Sequence, residues 1–415
     1  MQSDPRLPSF ENTALAFQYK SNAALKKARF LFGVMSNPWL VKVGTVLTPW
    51  AIRVGLPIKG LLRSTIFSQF IGGETLEGTA AVAKKLSDYK VQVILDYGVE
   101  GKQGEGFFDQ ARDQFVQVID FAATQPNIPF ISIKLTGLAR FQLLEELHHK
   151  MSSLDFPLLI RYEKALNSLP LELLNEWGRV CSRMEKICFH AAKCKVAVAL
   201  DAEETWIQEP LDALAAVMME LCNKKVPVVY NTYQLYRTDR FEVIQKMFAL
   251  ANANGYISGA KLVRGAYMEK ERKRAQEMGY SSPINPTKEA TDQLYNQALE
   301  FCISHLDSFG VIVASHNEKS NLLAVQLLLE KGYPIQHPHI HWSQLYGMSD
   351  NITFNLAAAG CGVSKYLPFG PIEDVVPYLM RRAQENTSVK GQTGRELGLI
   401  RSEEHTSELQ SRFGI

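Results

Sequence analysis

The stretch KVAVALDAEE, from Lys195 to Glu204, sets a short run of small and β-branched residues directly before an acidic cluster. Runs of this kind favour buried strands. Eight such runs alternate with longer segments of helical periodicity, and they are VQVILDYG (Val91–Gly98), FISIKLTG (Phe130–Gly137), KVAVALDAEE (Lys195–Glu204), VPVVYNTYQ (Val226–Gln234), YISGAKLVRGAY (Tyr256–Tyr267), FGVIVASHN (Phe309–Asn317), HIHWSQLYG (His339–Gly347) and CGVSKYLPFG (Cys361–Gly370). The alternation predicts an α/β protein whose eight parallel strands form a (β/α)8 TIM-like barrel.

A polar residue closes each of the eight runs. These residues are Asp96, Lys134, Asp201, Asn231, Arg264, His316 with Asn317, Gln344 and Tyr366. The chemistry of such a barrel lies at the carboxyl ends of its strands, so this set is a candidate functional site. For any single member, the alternative is a turn residue at a strand exit.

The composition is that of an ordinary globular protein, with 46 % hydrophobic and 21 % charged residues in a chain of 415. A formal net charge of +2 argues against a general nucleic-acid-binding surface. The six cysteines contain no CxxC pair, which favours reduced thiols. The first residues, MQSDPRLPSFENT, contain no apolar signal segment, and we therefore expect a cytoplasmic protein.

Residues 1–90 have helical periodicity broken by Pro and Gly, which predicts an amino-terminal helical arm before a barrel of residues 91–400. The most apolar part, Pro38–Phe67, is interrupted by charges before about 18 apolar residues accumulate, so we do not expect it to span a bilayer. Trp39 and Trp50 lie among basic residues, which suits a peripheral contact at the inner face of a membrane. The alternative is a set of helices packed against the barrel.

The end of the chain differs from the rest. Residues 401–411, RSEEHTSELQS, do not continue the preceding apolar periodicity, and their back-translation fits a common sequencing-library adapter. We therefore expect residues 401–415 to be a non-native tail produced by sequence assembly, and we exclude them from the fold prediction. Resequencing the 3′ end of the gene tests this expectation.

The stretch GPIEDVVPYLMRRAQENTS, from Gly370 to Ser388, combines helical periodicity with an internal proline. A proline costs little in the first turn of a helix, because the N–H groups there have no intrahelical acceptor. Pro377 therefore predicts that the helix begins at about Glu373 or Asp374, with Asp374 as the cap.

Four side chains of this helix share one arc about 100° wide, and they are Tyr378, Arg381, Arg382 and Glu385. Adjacent arginines suit a carboxylate or a phosphate, and Glu385 can orient Arg381 from one turn away. The alternative is a solvated basic face. The arginines predict a pocket for a small zwitterion when they are combined with Lys134, Asp201, Tyr366 and Tyr378.

The segment YLPFGPIEDVVPYLMRRAQENTS (Tyr366–Ser388) resembles the carboxyl-terminal signature of the proline dehydrogenases, flavoenzymes that oxidise L-proline to Δ1-pyrroline-5-carboxylate. Further motifs follow in the order of that family, and they are GGETLEG (Gly72–Gly78), ILDYGVEG (Ile94–Gly101), ISIKLTGL (Ile131–Leu138), LDAEE (Leu200–Glu204), YNTYQ (Tyr230–Gln234), KLVRGAY (Lys261–Tyr267), ASHN (Ala314–Asn317) and QLYGM (Gln344–Met348). The resemblance covers residues 70–400.

The resemblance implies a distorted barrel with noncovalent FAD, hydride transfer from C5 of L-proline to flavin N5, and a quinone as electron acceptor. It implies substrate contacts from Lys134, Tyr267, Leu345, Tyr366, Tyr378, Arg381, Arg382 and Glu385. The implied cofactor positions are Ala202, Asn231, Lys261, Arg264, Gly265, Ala266, Ser315, His316 and Asn317. Asp201 and Lys261 correspond to catalytic positions, and no metal ion is implied.

This chain departs from the family pattern at four cofactor positions. Several members have Arg at the position of Lys261 and Lys at the position of Arg264, and many have Gln at Asn231 and Thr at Ser315. Each exchange keeps a charge or a hydrogen-bond donor, so FAD binding is still expected. The lysine at 261 lacks the planar fork of an arginine, which can change how the flavin ring is held.

Other functions are compatible with parts of the sequence. Lys134 at a strand end is also compatible with a Schiff-base lyase. His337, His339 and His341 alternate along the seventh run and raise the alternative of a metal-dependent hydrolase, although no matching acidic ligands are evident. A barrel without catalytic activity is the remaining alternative.

Overall fold

The computed structural model describes residues 7–54, 56–98, 103–388 and 392–413. Its eight strands are β1 (Gln92–Tyr97), β2 (Phe130–Ile133), β3 (Ala197–Leu200), β4 (Val229–Gln234), β5 (Ser258–Val263), β6 (Phe309–Ala314), β7 (Ile340–Leu345) and β8 (Val363–Phe369). The strands follow one another in chain order around a closed barrel. Strands β2 to β6 pair in parallel with their sequence neighbours, and β1 pairs in parallel with β8. The predicted barrel is confirmed.

Helices precede the barrel and connect its strands. Within the described residues they are α1 (Thr13–Phe17), α2 (Asn22–Met35), α3 (Pro38–Arg53), α4 (Lys59–Leu62), α5 (Ser68–Phe70), α6 (Leu76–Ser87), α7 (Glu105–Ala123), α8 (Phe141–Ser152), α9 (Leu158–Asn167), α10 (Leu171–Cys194), α11 (Gln208–Cys222), α12 (Arg240–Asn254), α13 (Met268–Met278), α14 (Lys288–Ser304), α15 (Glu318–Glu330), α16 (Asp350–Ala358), α17 (Ile372–Ser388) and α18 (Gln392–Phe413). Local chemistry sets many of the boundaries. Ser21 and Thr287 cap α2 and α14 by accepting backbone N–H bonds, and Gly255 ends α12 with a left-handed φ of 64°.

Two compact units make up the chain, one of residues 1–100 with 343–415 and one of residues 101–342. The first unit has its own apolar core. Phe17 and Phe32 of the amino-terminal helices lie in this core with Leu379 of α17 and Ile400 of α18. Residues 401–413 continue α18, and Glu404 pairs with Arg29 at 2.8 Å. The arm of residues 1–90 and the non-native origin of the tail stay predictions.

The second unit is built around strands whose residues are almost all buried. In β4 every residue is buried, and β5 packs beside it with one glycine, Gly259. A Cβ on Gly259 would overlap the carbonyl oxygen of Val229, so only glycine allows this approach of the two strands.

Four of the predicted strand exits are wrong in position. Asp96 and Gln344 are the penultimate residues of β1 and β7, while Asn231 and Tyr366 lie in the middle of β4 and β8. Strands β4 and β8 continue past Asn231 and Tyr366 because the next residues, Thr232 and Leu367, are also buried and stay in register with a neighbouring strand. A polar residue in a barrel strand can point inward without ending the strand.

Helix α3 exposes an unusual amount of apolar surface. Trp39, Val46 and Trp50 are 68 %, 67 % and 56 % exposed. No single described helix is both long and apolar enough to cross a membrane, whereas the bent pair Asn22–Met35 and Pro38–Ile52 meets that test jointly across a 94° bend.

Candidate active site

A buried ion pair lies at the carboxyl ends of the strands in the second unit. Lys261 extends from β5, and its Nζ lies 2.6 Å from Oδ1 of Asp201, the residue that follows β3. Thr232 of β4 lies opposite Lys261 in register, and its Oγ1 is 3.5 Å from the same carboxylate oxygen. Both charges are buried, so each is compensated by the other and by hydrogen bonds.

The side-chain amide of Asn231 is hydrogen-bonded through its nitrogen but not through its oxygen among the described residues. Its Nδ2 donates to Oδ1 of Asp212 at 2.8 Å, and Arg240 donates to the other oxygen of that carboxylate at 2.7 Å. The side-chain oxygen of Asn231 is buried, and no described residue donates to it. The next residue of β4, Thr232, reaches Asp201, so Asn231 lies on the opposite face of the strand, toward α11 and α12, which does not fit the predicted FAD contact of its side chain.

Arg264 follows β5, and its side chain is fixed by residues of α14, of α15 and of the segment between β6 and α15. Its guanidinium donates to Asp292 at 2.6 Å, to Ser315 at 2.7 Å and to Ser320 at 3.0 Å, and it lies 4.4 Å from the ring centre of Tyr295. Burial opposes ionisation of Asp292, but Lys288 and Arg264 together hold its pKa below the ordinary value. The cation is therefore locked in place before any ligand arrives.

The segment after β6 forms the amino-terminal end of α15. Asn317 caps that helix by accepting the N–H of Ser320 at 3.1 Å, and the backbone N–H of Asn317 donates to Ser315 Oγ at 3.1 Å. His316 lies between them and is partly buried. A helix amino terminus beside a fixed arginine is a suitable place for an anion such as a pyrophosphate.

Gly265 and Ala266 connect Arg264 to Tyr267, which precedes α13. Gly265 has a φ of +141°, and a Cβ there would lie 2.5 Å from the ring of Tyr236. The N–H of Ala266 donates to Gln234 Oε1 at 3.2 Å. The backbone at this turn can thus approach a ligand closely because residue 265 has no side chain.

We expect Gly265→Ala to prevent most of the binding of the flavin that the resemblance implies, because the added methyl group must displace either the Tyr236 ring or the turn that includes Ala266. The ratio of flavin to protein absorbance after purification measures this. Gly279→Ala is the matched control, since Gly279 also has a positive φ of +72° but has nothing within 4 Å of an added Cβ. Equal flavin content in the two variants would contradict the close-approach role of Gly265.

Lys134 and Glu203 form a second charged group in this unit. Lys134 follows β2 and is partly buried, and Glu203 accepts the Oγ1–H of Thr136 at 2.6 Å and its N–H at 3.2 Å. Burial raises the pKa of Glu203 to about 7, although the Thr136 bonds and the nearby Lys134 favour the ionised form. Ala202, between Asp201 and this carboxyl group, is partly exposed.

The raised pKa of Glu203 predicts a pH dependence of stability. The folded state holds this proton more tightly than the unfolded chain, whose ordinary value is 4.5, so the stabilisation is complete below about pH 4.5 and is lost as the pH rises through about 7. Wild type should therefore lose about 3 kcal/mol relative to Glu203→Gln between pH 5 and pH 8. Urea unfolding of both proteins at the two pH values measures the difference. The control is Glu172→Gln, at an exposed glutamate, which should show no such pH dependence. If the difference in unfolding free energy between wild type and Glu203→Gln is the same at both pH values, the prediction is wrong.

The first unit contains the other predicted site residues. On α17, the Arg382 guanidinium lies 5.1 Å from the ring centre of Tyr378, and both side chains are buried. Arg381 is partly buried. The side chain of Glu385 is outside the described residues. The predicted helix start is wrong by one or two residues, because α17 begins at Ile372 after Pro371 accepts the first N–H bonds.

Pro377 accordingly lies in the second turn of α17 rather than the first. It cannot donate to the carbonyl group one turn earlier, so the helix has one hydrogen bond fewer just before Tyr378. The apolar face of α17 still packs into the core of the first unit through Val375 and Leu379, which outweighs that loss.

Leu345 and Tyr366 are connected through the backbone of the first unit. The N–H of Tyr346 donates to the carbonyl oxygen of Tyr366 at 2.9 Å. Lys365 stabilises the segment after Leu345. Its fully buried Nζ donates to the Met348 carbonyl oxygen at 2.6 Å and pairs with Asp350 at 2.8 Å.

The three histidines of the seventh run do not lie together on one strand, as the alternative of a metal site expected. His337 and His339 precede β7, and His339 Nδ1 bonds the carbonyl oxygen of Leu306 at 2.7 Å. His341 is buried against the ring of Phe130, and burial lowers its pKa to about 3.

Several supporting residues were not predicted from the sequence. Asp212 orients Asn231, Asp292 fixes Arg264, Gln234 holds Ala266, and Lys365 fixes the segment after Leu345. Gln234 and Lys365 lie inside runs that the sequence already marked as strands, so a polar residue within such a run was the available signal. Asp212 and Asp292 lie on helices, and nothing in their local sequence distinguishes them from surface acids.

The chain matches the family model described as proline dehydrogenase over residues 79–395. It is 32 % identical over 379 residues to proline dehydrogenase 1, mitochondrial, of Dictyostelium discoideum, with coverage of 84 % of this chain and 66 % of the relative. It is 31 % identical over 408 residues to hydroxyproline dehydrogenase of Xenopus laevis, with coverage of 93 % and 88 %. It is 41 % identical over 226 residues to proline dehydrogenase 1, mitochondrial, of Homo sapiens, with coverage of 54 % and 38 %.

Among solved structures, proline utilization A from Bdellovibrio bacteriovorus inactivated by N-propargylglycine matches with a TM-score of 0.70 and 19 % identity. The match covers 93 % of this chain and 40 % of that longer chain, and at this identity it supports the fold alone. The fold and the sequence matches define an oxidoreductase built on a (β/α)8 barrel. The chain belongs to the proline dehydrogenase family. The word mitochondrial in the names of two of these relatives differs from the cytoplasmic location expected from the amino-terminal sequence.

Proposed function

We propose that this chain oxidises L-proline to Δ1-pyrroline-5-carboxylate with noncovalent FAD, and that the electrons pass to a quinone. FAD, when bound, supplies the acceptor for the hydride that leaves C5 of proline. The observation that carries the proposal is the family match over residues 79–395, which contains every candidate site residue from Lys134 to Glu385.

The residues proposed for FAD fit that group on several grounds. Arg264 and the amino-terminal end of α15, with Ser315, His316 and Asn317, suit the pyrophosphate. The remaining proposed contacts are Ala202, Lys261, Gly265 and Ala266.

The proposed substrate residues bind and orient the amino acid. Arg381 and Arg382, with Lys134, pair with the proline carboxylate, and Glu385 orients the arginines. Burial of Arg382 to 7 % exposure supports this role, because a charge removed from water interacts more strongly with a bound carboxylate. The ring of the substrate is enclosed by Tyr267, Leu345, Tyr366 and Tyr378.

Asp201 and Lys261 are proposed to act as one unit. Lys261 fixes the Asp201 carboxylate by their ion pair, and that carboxylate then favours a substrate nitrogen in a fixed orientation. The proline nitrogen must lose its ammonium proton before a hydride leaves C5, because only its lone pair can stabilise the positive charge that develops there. Activity should therefore fall as the pH is lowered.

An acceptor-dye assay with L-proline and with trans-4-hydroxy-L-proline tests the proposal. We expect turnover with L-proline and a product that condenses with o-aminobenzaldehyde, as a cyclic imine does. The relative named hydroxyproline dehydrogenase, which this chain matches over 93 % of its length, makes the hydroxylated substrate the second candidate. A flavin-loaded protein that turns over neither substrate would contradict the proposed function.

We further propose that the exposed apolar face of α3 contacts the membrane in which the quinone is dissolved. Trp39, Val46 and Trp50 are exposed on this helix together with Lys42, whose charge suits anionic lipid headgroups.

Co-sedimentation with anionic vesicles tests this contact, and we expect Val46→Glu with Trp50→Glu to abolish binding. Phe107→Glu is the control, because Phe107 is also an exposed apolar residue, on α7. Wild-type protein that does not sediment with the vesicles would contradict the membrane contact.

A further inference from the structure

Three different metal-ligand side chains converge between α7 and α10 of the second unit. His190 and Cys194 are one turn apart on α10, so they share one face of that helix, and Asp120 faces them from α7. Oδ1 of Asp120 lies 2.6 Å from Nε2 of His190, and Sγ of Cys194 lies 3.6 Å from the same nitrogen. The three donor atoms all lie within 4.8 Å of one another.

We propose that Asp120, His190 and Cys194 bind a divalent cation of the Zn²⁺ class. In a tetrahedral zinc site, with Zn–N and Zn–S bonds of about 2.05 and 2.3 Å, the nitrogen and sulfur ligands lie about 3.6 Å apart. The His190–Cys194 separation already has this value. Asp120 is exposed, so its carboxylate can move by less than about 1 Å to reach the tetrahedral spacing of about 3.3 Å.

The donor geometry distinguishes this site from a nucleophilic relay. A Cys–His–Asp relay needs the carboxylate on one ring nitrogen and the thiol on the other. Here both groups approach Nε2 of His190, which is the arrangement that a shared central ion would produce. Zn²⁺ is intermediate between hard and soft metal ions and binds oxygen, nitrogen and sulfur ligands, so one carboxylate, one thiolate and one neutral imidazole form a suitable set.

The site is accessible and is separate from the proposed chemistry. Asp120 lies near the end of α7 and Cys194 is the last residue of α10, so both precede the amino ends of β2 and β3. The strand ends that carry Lys134 and Asp201 are the opposite ends. A cleft of about 320 Å³ beside the site is lined by His190 with Lys186 and Lys193, and the Lys186 ammonium is paired with Asp113 at 3.0 Å.

A cobalt titration of the purified full-length protein under reducing conditions tests the site. Tetrahedral Co²⁺ bound to a thiolate gives a thiolate-to-metal band and visible bands at longer wavelength than those of a flavin, so the difference spectrum is informative even in flavin-loaded protein. We expect these bands to saturate at one equivalent of Co²⁺ and to disappear when Zn²⁺ is added. We expect Cys194→Ser to remove the thiolate band and His190→Asn to weaken Co²⁺ binding by at least about tenfold.

Matched controls come from equivalent positions of the same unit. Cys222 is a partly buried cysteine at the end of another helix, α11, and His149 is an exposed histidine near the end of α8. Cys222→Ser and His149→Asn should bind Co²⁺ as wild type does. Because a bound ion connects α7 to α10, Zn²⁺ should also raise the melting temperature of wild type and of the controls but not of Cys194→Ser. No tetrahedral cobalt spectrum in wild type, or an unchanged one in Cys194→Ser, would overturn the proposal.

Discussion

Replacing Arg382 with alanine is expected to raise the KM for L-proline by roughly 30- to 4,000-fold while FAD stays bound. Removing one partner of a buried charge pair costs about 2–5 kcal/mol, and each 1.4 kcal/mol is about a factor of ten in binding. Arg382 is buried over the ring of Tyr378, so water replaces its contact with the substrate carboxylate poorly. Arg381→Ala should act in the same direction with a smaller effect, because Arg381 is only partly buried.

Steady-state kinetics with an acceptor dye, together with the flavin content of each variant, measure these effects. Arg112→Ala is the control, because Arg112 lies on α7 and pairs only with neighbouring acids of its own helix among the described residues. Its KM should equal that of wild type. Unchanged proline kinetics in both Arg381→Ala and Arg382→Ala would contradict the proposed pairing of these arginines with the proline carboxylate.

Replacing Lys261 with methionine is expected to destabilise the protein by about 3–5 kcal/mol and to abolish activity. The substitution leaves the Asp201 carboxylate buried without its cation at 2.6 Å. The double variant Lys261→Met with Asp201→Leu should recover most of the stability, since replacing a whole buried ion pair with apolar groups is often neutral. It should recover no activity, which separates the structural from the catalytic role of the pair.

Chemical denaturation of wild type, Lys261→Met, Asp201→Leu and the double variant gives a double-mutant cycle for this ion pair. Lys246→Met is the control, because the Lys246–Glu242 pair on α12 has side chains that are 73 % and 68 % exposed. Such a pair contributes at most about 1 kcal/mol. A Lys261→Met protein as stable as the Lys246→Met control would show that Lys261 and Asp201 are not desolvated partners.

The barrel was predictable because its strands are short, apolar and separated by segments of helical length. In KVAVALDAEE, for example, the apolar run ends where β3 ends, and Asp201 follows directly. Asn231 and Tyr366 were placed at strand ends wrongly, because burial of the residues after them depends on neighbouring strands that a single run does not reveal.

The supporting contacts of the site were beyond the reach of the sequence pattern. Asp212 and Asn231 are 19 residues apart, and Asp292 and Arg264 are 28 apart. Asp120 and His190, in the proposed metal site, are 70 apart. The packing of the helices on the barrel decides which side chains pair over such separations. The local sequence around each of these acids resembles that of an ordinary helix surface.

The central claim is that this barrel binds a flavin and that L-proline reduces it. The visible absorption spectrum of the FAD-loaded protein, recorded without oxygen before and after addition of L-proline, tests that claim most directly. We expect flavin bands that bleach with L-proline and that bleach only at much higher proline concentration in Arg382→Ala. A protein that binds no FAD, or flavin bands that L-proline leaves unchanged, would contradict it.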